Sequence, residues 1–307
     1  HRHIHENSGD VPEWQEVYDT RRLNYERGTI PSEALALVAA VDVQKFSLYY
    51  LIRAYGARGT SWLIDYGQLY GPTDQDEVWN ALTEVLMTPV DGWQIQNSLI
   101  DSGFRPDKLS AGEEHKVYAY CNQMSWLTKP AKGHDTQAQP YRIAKIEVGR
   151  SGSQRKRLQE LVHLSSDFFK SLVMARLRTP VDQGGAFLLP RNVDEDYCRQ
   201  LTSEARMVLD GKPKWVRRHR DNHYLDCEAM AAAVAYAMNI HRVPEADNEP
   251  ARVALPPGAD SSPLSAPEVV APEAETTVAV MEKPEPKAKP TGFKSRFRAR
   301  GRRLNKG

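Results

Sequence analysis

Hydrophobic and polar positions divide the chain into a run of short periodic segments. Residues 12–25 open on Pro12-Glu13-Trp14-Gln15 and carry Trp14, Val17, Tyr18 and Leu23 on one face, which predicts a helix that Gly28 and Pro31 then break. Residues 36–43 are almost continuously apolar, the mark of a strand buried on both faces. Residues 47–55 and 61–66 are strand-like and follow short polar connections, as in antiparallel hairpins. Residues 73–87 change to helical spacing, with Val78, Leu82, Val85 and Leu86 on one side and Asp74, Asp76 and Glu77 near the start.

Further on, the pattern predicts strands over 94–101 and 126–129, a helix over 115–123 and a polar, basic loop over 130–157. Then come a helix over 167–178, a short strand over 186–189, a helix over 195–209 and a small-residue helix over 226–240. Three meandering strands, a helix, and then strands alternating with helices predict a mixed α/β sheet with an antiparallel flank.

Composition changes this picture at the C-terminus. Residues 244–292 hold 10 of the 20 prolines, and residues 293–307 carry seven basic side chains and no acid. Such a stretch buries too little apolar area to offset its ordering entropy, so 244–307 is expected to be a disordered Pro-rich tail with a basic tip. Residues 1–34 are expected to be an N-terminal linker, and 35–243 the folded domain. The chain begins with His1, which suggests a piece of a longer product. The formal net charge is only +1, so contact with nucleic acid must come from local patches. No apolar run reaches the length of a membrane span and no secretory signal is visible. Three cysteines without a CxxC pair argue against a disulfide framework or a cysteine zinc site, and fit a reducing compartment.

Candidate chemistry rests on three aspartates. Asp42 ends the most buried strand, Asp101 ends a later apolar strand and is followed by Ser102-Gly103, and Asp226 opens the last helix. Each alone is well explained as a turn or cap residue. If the two strands are parallel neighbours, however, their carboxylates meet at the rim where open α/β sheets bind ligands, and a helix-start carboxylate can join them. Like charges so close need cations between them, and hard divalent ions with oxygen ligands, Mg²⁺ or Mn²⁺, suit the set. Two such ions can drive phosphodiester hydrolysis. The order of strands and acids is that of the ribonuclease H-like nuclease fold.

Val41-Asp42-Val43-Gln44, the strand Ser61-Trp62-Leu63-Ile64-Asp65-Tyr66, Ile100-Asp101-Ser102-Gly103 and Leu225-Asp226-Cys227 carry a more specific likeness. So do Val117-Tyr118 with Cys121, and Ser166-Asp167-Phe168-Phe169-Lys170. Over roughly residues 10–242 the chain resembles the nuclease half of the large terminase subunit of lambda-type tailed phages. The resemblance implies a metal-dependent endonuclease that cuts concatemeric viral DNA during genome packaging in the host cytoplasm. It implies Asp42, Asp101 and Asp226 as catalytic metal ligands, with Asp221 as an alternative or helper. It also implies a small terminase subunit and a portal protein as partners, the portal being met by the C-terminal tail.

Asp65 is expected to be structural, and Glu228 to favour the helix dipole. The phosphate-loop pattern GxxxxGK[ST] is absent, so this chain is not expected to hydrolyse ATP. Basic side chains placed to follow DNA phosphates are Lys129 and Lys132, and Arg217, Arg218 and Arg220 in the segment leading to Asp221 and Asp226. Arg150, Arg155, Lys156 and Arg157 are further candidates. Alternatives are a ribonuclease H-like resolvase or strand-transfer enzyme, and a non-enzymatic module linking DNA and portal.

Overall fold

A computed structural model describes residues 11–103, 115–135, 137–148, 157–209 and 211–245, all within one compact unit, His1–Glu249. The expected tail lies outside the described residues apart from its first two, as do Arg150, Arg155 and Lys156.

Strand β2 (Ala34–Val43) is buried along nearly its whole length, β3 (Ser47–Gly56) and β4 (Ser61–Tyr70) return antiparallel beside it, and α2 (Glu77–Met87) follows. Strand β5 (Asn97–Asp101) then pairs parallel with β2 on its other side. After α3 (Lys116–Gln123), β6 (Thr128–His134) and β8 (Arg157–Ser165) extend the sheet in parallel, and β7 (Tyr141–Val148) closes that edge antiparallel. At the other edge β9 (Phe187–Pro190) pairs parallel with β4, and β1 (Arg22–Leu23) with β9. The resulting order is β1-β9-β4-β3-β2-β5-β6-β8-β7, a mixed sheet with an antiparallel meander as expected.

Strand alternation splits the apolar residues into two layers. Val38, Ala40, Leu99 and Val162 face α4 (Ser166–Arg178), α5 (Glu195–Leu201) and α6 (His223–Ala237), whereas Leu37, Val41 and Ile100 face α2 and α3. Helix α6 is buried on nearly all sides, and its alanines, Ala229, Ala231, Ala232, Ala233 and Ala235, let it lie close over β2 and β3.

Three expectations need correction. The helix over 12–25 is the shorter α1 (Trp14–Thr20), after which the chain straightens so that Arg22 and Leu23 join the sheet edge. The basic loop over 130–157 holds most of β6, all of β7 and the start of β8. Charges interrupt the apolar pattern because these strands lie toward the sheet edge, with one face open to water. The helix over 195–209 ends at Leu201, where Ser203 Oγ donates to the Gln200 carbonyl. The chain then forms a hairpin of β10 (Glu204–Leu209) and β11 (Lys212–Arg217).

Candidate active site

Register brings the first two aspartates together. Val41 pairs with Ile100 in the parallel β2–β5 ladder, so Asp42 and Asp101 are the next pair along. Both share parity with residues under α6, Ala40 and Leu99, so both side chains point to that layer. Asp226 arrives in the first turn of α6. All three line one pocket of about 230 Å³, together with Lys170 and with Ser165 and Ser166 at the start of α4. The N-termini of α4 and α6 thus both serve this place, where free backbone N–H groups favour anions.

Each aspartate is oriented by neighbours. Asp42 is 5% exposed; its Oδ2 accepts from Gln44 Nε2 at 2.8 Å and lies 2.7 Å from His223 Nδ1. The His223 ring stacks on Tyr49, with centroids 4.1 Å apart. Asp101 Oδ1 accepts from the Gly103 amide at 2.9 Å. Asp226 accepts from Asn222 Nδ2 at 2.8 Å and pairs with Lys170 Nζ at 2.8 Å. The same ammonium lies 2.7 Å from Glu204, whose other oxygen accepts from Asn222 at 2.6 Å. Burial and the Asp42 charge raise the Asp226 carboxyl above its ordinary range, against the pull of Lys170. Burial alone would lower the Lys170 ammonium, but Asp226 and Glu204 outweigh it and raise it.

Lys170, Glu204 and Asn222 belong to this network without having been singled out as site residues. Lys170 closes the Ser166–Lys170 motif, but Glu204 falls inside the helix expected over 195–209, and no local pattern marks either as pairing with residue 226. Asp221 lies apart from the pocket: its side chain is 55% exposed and its Oδ1 sits 3.9 Å from His223 Nε2. Glu228 is a correction. Its charge is met by more than the helix dipole: it is fully buried, paired with Arg53 at 2.6 Å and bonded to the Tyr197 hydroxyl. Asp65 pairs with Arg27 on the far part of β4.

The basic candidates scatter around the pocket. Lys129 sits two residues before the pocket residue Ala131 and pairs with Glu160. Lys132 is exposed on β6. Arg217 is exposed near Glu204, Arg218 lies 3.9 Å from Glu13, and Arg220 is exposed just before α6. Arg157 donates to the Tyr118 carbonyl.

The donor set is all oxygen at the three aspartates, which suits hard divalent ions. Among the described residues no three His, Cys, Asp or Glu side chains are already gathered as a metal cage. The lysine ammonium instead supplies the positive charge at Asp226.

The central strands β4-β3-β2-β5-β6, with acids at the ends of β2 and β5 and at the start of the last long helix, define a ribonuclease H-like domain. The sequence model of the terminase large subunit gpA endonuclease domain matches residues 4–247. The chain therefore belongs to the gpA endonuclease-domain family of large terminase subunits, a membership that implies endonuclease activity. Among solved structures, RuvC of Thermus thermophilus is similar at a TM-score of 0.31 and 11% identity, covering 68% of this chain and 98% of that one. A likeness that weak says nothing about what this chain does. No curated protein matches it. Among the described residues no helix is long and apolar enough to cross a membrane.

Proposed function

We propose that this domain is a divalent-metal-dependent endonuclease that cuts double-stranded viral DNA concatemers during genome packaging. The carrying observation is that Asp42, Asp101 and Asp226, far apart in sequence, line one pocket at the ends of parallel strands. These three would hold Mg²⁺ or Mn²⁺, most simply as a pair. When bound, such ions activate water and stabilise the leaving oxygen of a phosphodiester.

The chain's own groups prepare that chemistry. His223 and Gln44 fix the orientation of Asp42 from two sides. Asn222 ties Asp226 to Glu204, and Lys170 balances both carboxylates, so the orientation of Asp226 is fixed by the chain's own groups. The helix N-termini of α4 and α6 favour an incoming phosphate. Lys132, Arg217, Arg218 and Arg220 would follow the DNA backbone, with Lys129 a weaker contributor because Glu160 already pairs with it. The small terminase subunit, and a portal protein met by the C-terminal tail, are the proposed partners, in the host cytoplasm.

Plasmid nicking tests the proposal. Mn²⁺ should support cleavage, EDTA should stop it, and Asp101→Ala should reduce it to background with unchanged circular dichroism. A fully active Asp101→Ala protein would remove the assignment.

A further inference from the structure

A second polar cluster lies on the opposite face of the sheet, one residue along from the aspartate pocket. His163 on β8 pairs in register with Lys132 on β6 and with Arg142 on β7. Register partners on adjacent strands point to the same side, so the three side chains form a row spanning ~10 Å. Their strand neighbours Ala131, Val162 and Leu164 are buried toward α4 and α6, so the row faces away from those helices. His134, two positions after Lys132, brings its Nε2 to 2.7 Å from His163 Nδ1.

Lys132 and Arg142 are exposed, and both imidazoles are half-buried. Burial and the charges of Arg142, His134 and Lys132 hold the His163 imidazole below its ordinary range. Among the described residues no carboxylate stands in ion-pair range of Lys132 or Arg142, whereas Lys129 on the same strand is neutralised by Glu160. Two exposed cations with no ion-pair carboxylate among the described residues, next to imidazole nitrogens, are a receptor for phosphate oxygens. The sequence-adjacent residues Gly133 and Leu164 line the aspartate pocket on the other face, one residue before the ends of β6 and β8, so a duplex laid across that rim of the sheet meets both the pocket and the row.

We propose that Lys132, His163 and Arg142, with His134, form a phosphate-binding row that grips the DNA backbone beside the cutting pocket. This row rests on the DNA-cleaving reading for its ligand, but it makes a separate claim about where the duplex lies.

The test is fluorescence anisotropy of a labelled blunt duplex with the full chain in EDTA, over a series of salt concentrations. Lys132→Gln with Arg142→Gln should weaken binding roughly tenfold at moderate salt and flatten the log–log salt slope by about two, one for each lost contact. The charge-conserving pair Lys132→Arg with Arg142→Lys should restore both, which separates charge from folding. Arg191→Gln, just past β9 at the opposite edge of the sheet, should change neither. Unchanged affinity and slope in the double Gln variant would overturn the row, whatever the wild type does to plasmid. Weakened binding with a wild type that never nicks under Mn²⁺ would support the row and remove the nuclease reading instead.

Discussion

Asp226 and Glu228 stand two residues apart on α6, and each meets a cation in a different setting. Glu228 and Arg53 are both fully buried, with the guanidinium stacked 3.7 Å from the centre of the Phe187 ring and the Tyr197 hydroxyl closing the other side. Asp226 meets Lys170 at the wall of an open pocket, and that lysine is shared with Glu204. The first pair is sealed from water, so neither charge can be exchanged without exposing the other. In the second the Asp226 side chain is a third exposed, so on the proposed reading a cation from solvent can take over what Lys170 does. On the proposed reading, one helix thus holds a fixed structural charge and an adjustable functional one, and the side of α6 that each faces decides which is which.

The largest expected effect comes from breaking the sealed pair. Glu228→Ala should cost about 3–5 kcal/mol in denaturant unfolding, because it leaves Arg53 buried and unpaired. Replacing both partners by Met and Leu should recover most of that loss. An equal loss in the double variant would mean that shape, rather than charge, dominates there.

Next in size is Lys170→Met. Leaving the Asp226 and Glu204 carboxylates without their shared cation should cost about 1–3 kcal/mol. Mn²⁺ should then raise the melting temperature of the variant more than that of the wild type, since the ion replaces the missing charge. Equal metal-induced shifts in the two proteins would show that Lys170 and metal do not compete for the same place. Smallest is Arg199→Ala, which removes an exposed pair with Glu195 on α5 and the stacking of its guanidinium 4.2 Å over Trp14, and should cost about 0.5–1 kcal/mol in denaturant unfolding.

The contrast also marks how far the sequence could be read. Strand β2 and the meander were legible because continuous apolar runs with short polar connections have few other solutions. Asp42 and Asp101 were legible as a pair because each closes an apolar strand, and parallel pairing brings such ends together. Glu228 was not, because an acid near the start of a helix looks the same whether it faces water or a buried arginine 175 residues earlier. Strands β7 and β8 escaped for the opposite reason: their open face is charged, and the alternation reads as a polar loop. The β10–β11 hairpin was masked by apolar spacing that continued smoothly from α5, where only Thr202-Ser203 signalled a stop.

Strand β2 lies near the beginning of the described chain and α6 near its end, so the pocket has no complete wall until the last helix docks. During synthesis from the N-terminus, Asp42 and Asp101 emerge long before Asp226, and slow non-local contacts must close last. On the proposed reading, a half-made or truncated polypeptide has no cutting centre, so a cell translating it is spared premature damage to its chromosome.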